Sequence, residues 1–234
     1  MRPVKPPPFD YLAPSSLDEA LAFRAEHGGD GTVLAGGQSL MPLLNLRMAY
    51  PATVIDLGHV EELAGIHSVD GGVAIRAMTR QRDAERSDLA LERCPLLVQA
   101  LRHVGHVTIR NRGTVGGSLA HADPAAELPA VALALGAQLV ARSVRGERTI
   151  AADDFFLGFL TTALEPDELL VEVRFPSVGG AGRVGSSFLE IARRHGDFAL
   201  VGALRSPPSR SRSIDSPRMK ISRLAPRRCR SYPA

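Results

Sequence analysis

Two pairs of adjacent glycines most constrain what this chain can fold into. Gly36–Gly37 follows the strand-like run TVLA, and Gly116–Gly117 lies 80 residues later, before the polar segment ADPAAE. Because glycine has no Cβ, backbone N–H groups at such a pair can come close to a phosphate, and a helix N-terminus behind them adds a favourable dipole. The pairs predict either two ordinary turns or two halves of one cradle for a nucleotide diphosphate. Side-chain donors stand beside them at Gln38, Ser39, Thr114 and Ser118.

Other sites that short motifs can indicate find no support. Neither pair forms a GxGxxG dinucleotide fingerprint or a GxxxxGK[ST] loop, and the histidines lack HxxxH or HExxH spacing. Cys94 and Cys229 are too few for a disulfide framework or for an iron–sulfur cluster, which takes four thiolates. No Ser–His–Asp or paired-carboxylate arrangement is identifiable. We therefore expect no metal site and no catalytic residue.

Helical and strand-like patterns are mixed without strict alternation, which favours an α+β fold over a doubly wound sheet. Ser16 and Glu19 form a capping-box pattern at the start of a helix. The segments GIHSVDGGVAIRAMT and QLVARSVRGERTI predict hairpins, and DELLVEVRFP and SSFLEIARR predict further strands. Helices are predicted in CPLLVQALRHVGH and AELPAVALALGA.

The net charge of +3 conceals an uneven distribution. Residues 205–234 carry eight Arg and one Lys against one Asp, which leaves residues 1–204 with a net charge of −5. A nucleic-acid-binding body is therefore not supported. The segment 205–234 has no helical or strand period. We expect either a disordered basic tail there or a reading-frame error from about Leu204 onward.

Apolar runs are short throughout the chain. None approaches the roughly 18 residues of a membrane span, and the start MRPVKPPPFDYL lacks the apolar centre of a signal peptide. We therefore expect a cytoplasmic protein without a membrane span.

Three segments, in chain order, carry a resemblance to a known family: AGGQSLMPLLNLR, RHVGHVTIRNRGTVGGSLAHADPAAELPAV and RRHGDFALVG. Together they closely resemble the FAD-binding medium subunit of the molybdenum hydroxylases, a family that includes aerobic carbon monoxide dehydrogenases and bacterial xanthine dehydrogenases. The resemblance extends from about Lys5 to Gly202. It implies FAD as the cofactor.

The fold that this resemblance implies is the PCMH-type FAD-binding domain, with two α/β subdomains and a small C-terminal domain. The implied boundaries are 1–58 for the first subdomain, 59–177 for the second, 178–204 for the start of a truncated small domain, and 205–234 for the basic tail. With that small domain incomplete, we expect exposed apolar surface on 187–203 and a tendency to aggregate.

The resemblance also implies which residues contact the flavin. Both glycine loops would wrap the FAD pyrophosphate, Glu127 would reach the ribityl hydroxyls, and His121 would lie beside the flavin. Arg110 and Arg112 would either lie near the anionic cofactor or face a partner subunit. The full set of implied cofactor-binding residues is Ala35, Gly36, Gly37, Gln38, Ser39, Leu40, Gly105, Thr114, Val115, Gly116, Gly117, Ser118, His121, Glu127 and Leu164.

The function implied by the resemblance is that of an oxidoreductase subunit for electron transfer. Electrons would come from a molybdopterin large subunit through a small subunit with two two-iron two-sulfur clusters, in a dimer of heterotrimers, and would leave to a quinone, NAD or oxygen. Two alternatives remain open from the residues themselves. One is an inactive truncated subunit that binds partners without flavin, and the other is an anionic-surface or nucleic-acid binder that uses its basic tail.

Overall fold

A computed structural model describes residues 5–177, 185–194, 196–199, 201–205 and 219–223 of the chain. The fold mixes helices and strands, as the sequence predicts. The helices are α1 (Leu17–His27), α2 (Leu40–Asn45), α3 (Gln81–Arg86), α4 (Asp88–Arg93), α5 (Pro95–Leu101), α6 (Val107–Arg110), α7 (Val115–His121), α8 (Glu127–Leu135) and α9 (Ala152–Phe155).

The strands pair into separate sheets that follow one another along the chain. The first sheet has the order β1-β3-β2, the second β4-β5-β10-β6-β7 and the third β11-β12-β13, and β8 and β9 form a small hairpin. The strands are β1 (Asp10–Leu12), β2 (Gly31–Leu34), β3 (Thr53–Asp56), β4 (Ile66–Val69), β5 (Gly72–Arg76), β6 (Gln138–Ser143), β7 (Gly146–Ala151), β8 (Phe156–Gly158), β9 (Thr161–Thr162), β10 (Leu169–Pro176), β11 (Ser187–Ile191), β12 (Val201–Arg205) and β13 (Met219–Arg223).

The first sheet is parallel and is packed by α1. Ser16 caps α1 as predicted, because its Oγ accepts the N–H of Glu19 at 3.2 Å. The reciprocal half of the capping box differs from the prediction. The Glu19 carboxylate accepts the backbone N–H of Ser15 at 2.8 Å and the Ser15 hydroxyl at 3.1 Å, one residue before the cap. The helix start is thereby stabilised over one more residue than the box predicts.

The second sheet is antiparallel and is built from the two predicted hairpins, β4–β5 and β6–β7, with β10 inserted between them. Both predicted helices of this region form. Pro95 occupies the first turn of α5, and α8 ends at Gly136 in the left-handed conformation, with φ of 64°. These helices bury Leu96, Leu97 and Leu128 against the sheet in the larger of two apolar clusters.

The third sheet is joined to this larger cluster by Phe188 on β11 and Leu204 on β12. Leu189 and Ile191 alternate with Phe188 and are 67% and 64% exposed, so part of the predicted apolar surface on 187–203 faces solvent.

Residues 219–223 differ from the predicted disorder of 205–234. Their backbone pairs antiparallel with β12, where the sequence MKISR alternates apolar and polar residues. The other predicted tail residues, 206–218 and 224–234, lie outside the described residues.

Candidate functional site

A cleft of about 680 Å³ lies where the two glycine loops meet. That volume falls within the ~300–1,000 Å³ typical of ligand and cofactor sites. All but one of the cofactor-binding residues expected from the sequence line this cleft. They are Ala35, Gly36, Gly37, Gln38, Ser39, Leu40, Gly105, Thr114, Gly116, Gly117, Ser118, His121, Glu127 and Leu164.

The first loop, 35–39, joins β2 to α2 and presents its backbone to the cleft. Within the part of the chain that the structure describes, the N–H groups of Gly36, Gly37, Gln38 and Ser39 have no intramolecular acceptor. Gly37 has φ of 72°, a conformation that residues with a Cβ rarely adopt. Successive N–H donors in such a turn form a concave site for an anion. The first loop therefore has the donor pattern that its sequence predicts.

The second loop is arranged differently from the prediction. Thr114 caps α7 and accepts the N–H of Gly117 at 3.0 Å through its Oγ1. The N–H of Gly116 donates to the Ala77 carbonyl at 2.8 Å, and that of Ser118 donates to the Thr114 carbonyl at 3.2 Å. These N–H groups are therefore occupied inside the protein. What the second loop offers a ligand is the Ser118 hydroxyl together with a surface that has almost no side-chain bulk, since Thr114 is 2% exposed and its Oγ1 is taken by Gly117.

The two loops touch each other, and their contact requires glycine at position 36. A Cβ built on Gly36 would lie 2.4 Å from the carbonyl oxygen of Arg112 and 2.7 Å from the Cα of Gly113. Both neighbours are backbone atoms, which cannot turn aside as a flexible side chain can. The two motifs that stand 80 residues apart in the sequence are thus halves of one wall of the cleft.

The segment that follows β5 is hydrogen-bonded to the second loop and to the residues just before it. Within 77–81, the Thr79 carbonyl accepts the N–H of Val115 at 3.0 Å, and the Gln81 N–H donates to the Gly113 carbonyl at 2.8 Å. The Arg80 Nη1 donates to the carbonyl of Arg112 at 2.5 Å. These bonds fix the loop backbone before any ligand binds, which reduces the entropy cost of binding.

Val115 is the implied binding residue that the structure places elsewhere. Its side chain is fully buried in the larger apolar cluster, and its N–H is taken by Thr79. Neither its side chain nor its N–H is therefore available to a ligand in the cleft. Its place in the motif reflects the packing of α7 on the sheet and not a contact with the cleft.

The two arginines of the IRNR segment, Arg110 and Arg112, differ in their surroundings. Arg110 is 5% exposed, is absent from the cleft lining and pairs with Glu85. The Arg112 side chain is exposed and does not line the cleft. Of the nearby histidines, His103 packs on Phe188 with ring centroids 5.3 Å apart.

Glu127 begins α8 and lines the cleft, as do His121 and Asp123. Burial raises the pKa of Glu127 to about 7 because a carboxylate is poorly solvated there. The negative charges of Glu190 and Asp123 add to this rise, while its own backbone N–H and the charge of Arg110 oppose it. A carboxyl group in this position can accept hydrogen bonds from hydroxyls when ionised and donate one when protonated.

We expect Glu127→Gln to stabilise the ligand-free protein at pH 8 and to leave its stability almost unchanged at pH 4. The raised pKa means that folded Glu127 keeps a proton that the unfolded chain has lost, so wild-type stability falls as pH rises from about 4.5 to about 7. The gain at pH 8 should be on the order of 3 kcal/mol. Urea unfolding at both pH values measures it. A matched change at the exposed Glu147, Glu147→Gln, should give no pH-dependent gain. An equal effect of Glu127→Gln at both pH values would contradict the assignment.

Several cleft residues were missed by sequence reasoning. Arg24 on α1 lines the cleft and donates from Nη1 to the carbonyls of Gly28 at 2.7 Å and Gly31 at 2.5 Å. Glu168 lines it as well, with a carboxylate that accepts both Arg148 nitrogens at 2.7 and 2.8 Å. Neither residue belongs to a recognised short motif: Arg24 bonds carbonyls 4 and 7 residues ahead of it, and the Arg148 partner of Glu168 lies 20 residues away. No signal in the sequence alone would have selected them.

The segment RRHGDFALVG reaches the cleft through three of its described residues. Gly196, Asp197 and Phe198 line it, and the Phe198 side chain is 67% exposed. Gly196 has φ of 85° and lies against the ring of His106, where a Cβ would be 2.8 Å from Cε1. This contact joins the C-terminal part of the chain to the loop around Gly105.

The described residues contain no helix both long and apolar enough to cross a membrane. Among these same residues, His, Cys, Asp and Glu side chains do not gather in threes in a way that could hold a metal ion.

Comparison with known proteins places this architecture in a family. The protein-family model described as "FAD binding domain in molybdopterin dehydrogenase" matches residues 7–178. Caffeine dehydrogenase subunit beta of Pseudomonas sp. (strain CBB1) is 45% identical over 219 residues, which cover 93% of this chain and 74% of that one. The medium chain of carbon monoxide dehydrogenase from Hydrogenophaga pseudoflava is 38% identical over 221 residues, with 94% and 76% covered.

Solved structures agree with these sequence matches. Carbon monoxide dehydrogenase from Hydrogenophaga pseudoflava, in a form that lacks the Mo-pyranopterin moiety, superimposes with a TM-score of 0.87 over 94% of this chain and 76% of the other. Quinoline 2-oxidoreductase from Pseudomonas putida 86 superimposes with a TM-score of 0.81 and is 41% identical, over 86% of this chain and 69% of the other.

Proposed function

Because this chain belongs to the FAD-binding family of molybdopterin dehydrogenases and is an FAD-binding subunit of the molybdenum hydroxylase type, we propose that its cleft holds FAD with the pyrophosphate on the first glycine loop. The observation that carries this proposal is the row of four N–H groups, from Gly36 to Ser39, without acceptors in the described chain. Donors of this kind are oriented before binding and match the oxygens of a diphosphate.

The remaining cleft residues fit the rest of the cofactor. The second loop supplies the Ser118 hydroxyl next to the first loop, and the Glu127 carboxyl lines the same cleft, where it can accept from hydroxyls of a ribityl chain. The exposed ring of Phe198 offers an apolar surface beside them. When bound, the flavin supplies the redox chemistry, which explains why the cleft needs no general acid or base of its own.

We infer that the subunit works in electron transfer within a larger complex. Its relatives are named as a subunit beta and a medium chain of dehydrogenases. On that basis the proposed partners are a molybdopterin large subunit and a small subunit with two-iron two-sulfur clusters, and the proposed final acceptor is a quinone, NAD or oxygen. The β8–β9 hairpin beside the cleft supports a partner contact. Its Leu157 and Phe159 are 65% and 66% exposed, which is costly for apolar side chains in water.

The test compares the binding of FAD and riboflavin by the purified chain. After incubation and desalting, we expect the visible bands of oxidised flavin to remain with FAD. Riboflavin lacks the diphosphate together with the adenosine. Its dissociation constant should be higher by a factor on the order of 100 from the loss of about two charge-assisted hydrogen bonds to the diphosphate alone. Equal affinities would contradict the pyrophosphate cradle. A folded chain that retains neither ligand would favour the alternative of a partner-binding subunit without flavin.

A further inference from the structure

Arg110 carries a buried charge and does not line the cleft. It ends α6 with 5% of its surface exposed, and its guanidinium makes a charge-assisted hydrogen bond from Nε to Glu85 at 2.9 Å. Glu85 also pairs with Arg82 at 2.8 Å. Burial alone would raise the pKa of Glu85, but the hydrogen bonds and charges of both arginines outweigh it and lower this pKa. Glu85 is thus held as an anion that compensates Arg110.

The other side of the same guanidinium holds a wall of the cleft. Arg110 Nη1 donates to the carbonyl of Val104 at 2.8 Å and to that of Gly105 at 3.1 Å. Both residues line the cleft, and Gly105 adopts φ of 46°. A planar guanidinium can bind two carbonyls and a carboxylate at once because its donors have a fixed fork geometry, which an ammonium lacks.

Arg110 also acts at a distance on Glu127, another residue of the cleft lining. Its positive charge lowers the pKa of Glu127, against burial and the negative charges of Glu190 and Asp123, which raise it. The residue therefore connects two features of the cleft, the backbone of 104–105 and the ionisation of Glu127, without lining the cleft itself.

We propose that Arg110 is a positioning residue of the FAD site, which fixes the Val104–Gly105 wall through its fork of donors and keeps a positive charge behind that wall. The proposal rests on the proposed function, because it assumes that FAD occupies this cleft. It places Arg110 out of contact with the cofactor, so its effect passes through the loop backbone and through Glu127.

Two substitutions of Arg110 distinguish the role of its forked donors from the role of its positive charge. Arg110→Lys keeps a charge but cannot bridge both carbonyls and Glu85, so we expect the FAD dissociation constant to rise about tenfold or more while its pH dependence keeps the wild-type midpoint. Arg110→Met removes both, so the constant should rise further, and the midpoint of its pH dependence should move to higher pH because Glu127 loses a nearby positive charge. The matched control is Arg112→Met, in the same IRNR motif, which should match the wild type in both measurements.

The experiment combines FAD titrations of the full chain from pH 5 to pH 9 with amide hydrogen exchange of the ligand-free proteins. We expect amides 104–106 to exchange faster in both Arg110 variants and at the wild-type rate in Arg112→Met. Wild-type FAD affinity in Arg110→Lys, or an unchanged midpoint in Arg110→Met, would overturn the proposal. If Arg110→Met does not fold, Arg110→Lys and Glu85→Gln decide, since both should loosen 104–106. If the wild type binds no FAD, the proposed function fails, while the exchange rates still decide whether Arg110 fixes the wall.

Discussion

Gly36→Ala is expected to abolish FAD retention on desalting and to raise the dissociation constant by a factor on the order of 100. The added methyl group would lie 2.4 Å from the Arg112 carbonyl oxygen and 2.7 Å from the Gly113 Cα. Since neither atom belongs to a side chain, the loops must separate, and the row of N–H donors moves away from the Ser118 hydroxyl of the second loop. Losing about two charge-assisted hydrogen bonds gives an effect of this size.

The matched control for this change is Gly29→Ala. A Cβ on Gly29 meets nothing within 4 Å, and this glycine lies away from the cleft. Equilibrium titration with FAD measures both variants, and circular dichroism shows whether each is folded. Overpacking should cost Gly36→Ala about 1–3 kcal/mol of stability, which leaves a protein of ordinary stability folded. Wild-type affinity in folded Gly36→Ala would show that the contact between the loops does not set the donor geometry.

Local patterns in the sequence were enough for much of the fold. The Asp70–Gly71 turn between alternating runs predicts the β4–β5 hairpin, and Pro95 and Gly136 mark helix boundaries where the structure has them. In each case the residue acts on its own backbone or on its neighbours in the chain. The pairing of β10 between β5 and β6 joins segments about 30 to 100 residues apart, and such pairing leaves no local signal.

The sequence predicted most of the residues that line the cleft, but not which of their N–H groups are free to bind a ligand. Gly36–Gly37 and Gly116–Gly117 are the same dipeptide, and the sequence predicts that both pairs donate their N–H groups to a ligand. The structure leaves these groups open in the first pair only, because the N–H of Gly116 is taken by Ala77. Which acceptor a backbone group finds depends on the segment packed beneath it. Val115 lies in the apolar core and Arg110 lies behind the cleft wall for the same reason.

The second large effect follows from this difference between the glycine pairs. We expect Gly116→Ala to lower the free energy of unfolding by on the order of 3 kcal/mol, because its Cβ would lie 2.4 Å from the Ala77 Cβ and 2.6 Å from the Ala77 Cα. Helix α7 would have to move off the sheet that it helps to bury. In a domain of this size the melting temperature should fall by about 10 °C. Thermal unfolding followed by circular dichroism measures the change. Gly158→Ala is the control, since a Cβ there meets nothing within 4 Å.

Added FAD should distinguish the two glycine variants. Gly116→Ala keeps the first loop intact, so a saturating cofactor should restore part of the lost stability by mass action, about 2.7 kcal/mol at a hundredfold excess over the dissociation constant. Gly36→Ala should gain much less at the same concentration because its binding is impaired. Ala77→Gly should also restore part of the stability of Gly116→Ala, since it removes the methyl group nearest to the new side chain, although the backbone of residue 77 stays close. If FAD stabilised both variants equally, the two pairs would have the same role, and the division between a donor loop and a packing loop would be wrong.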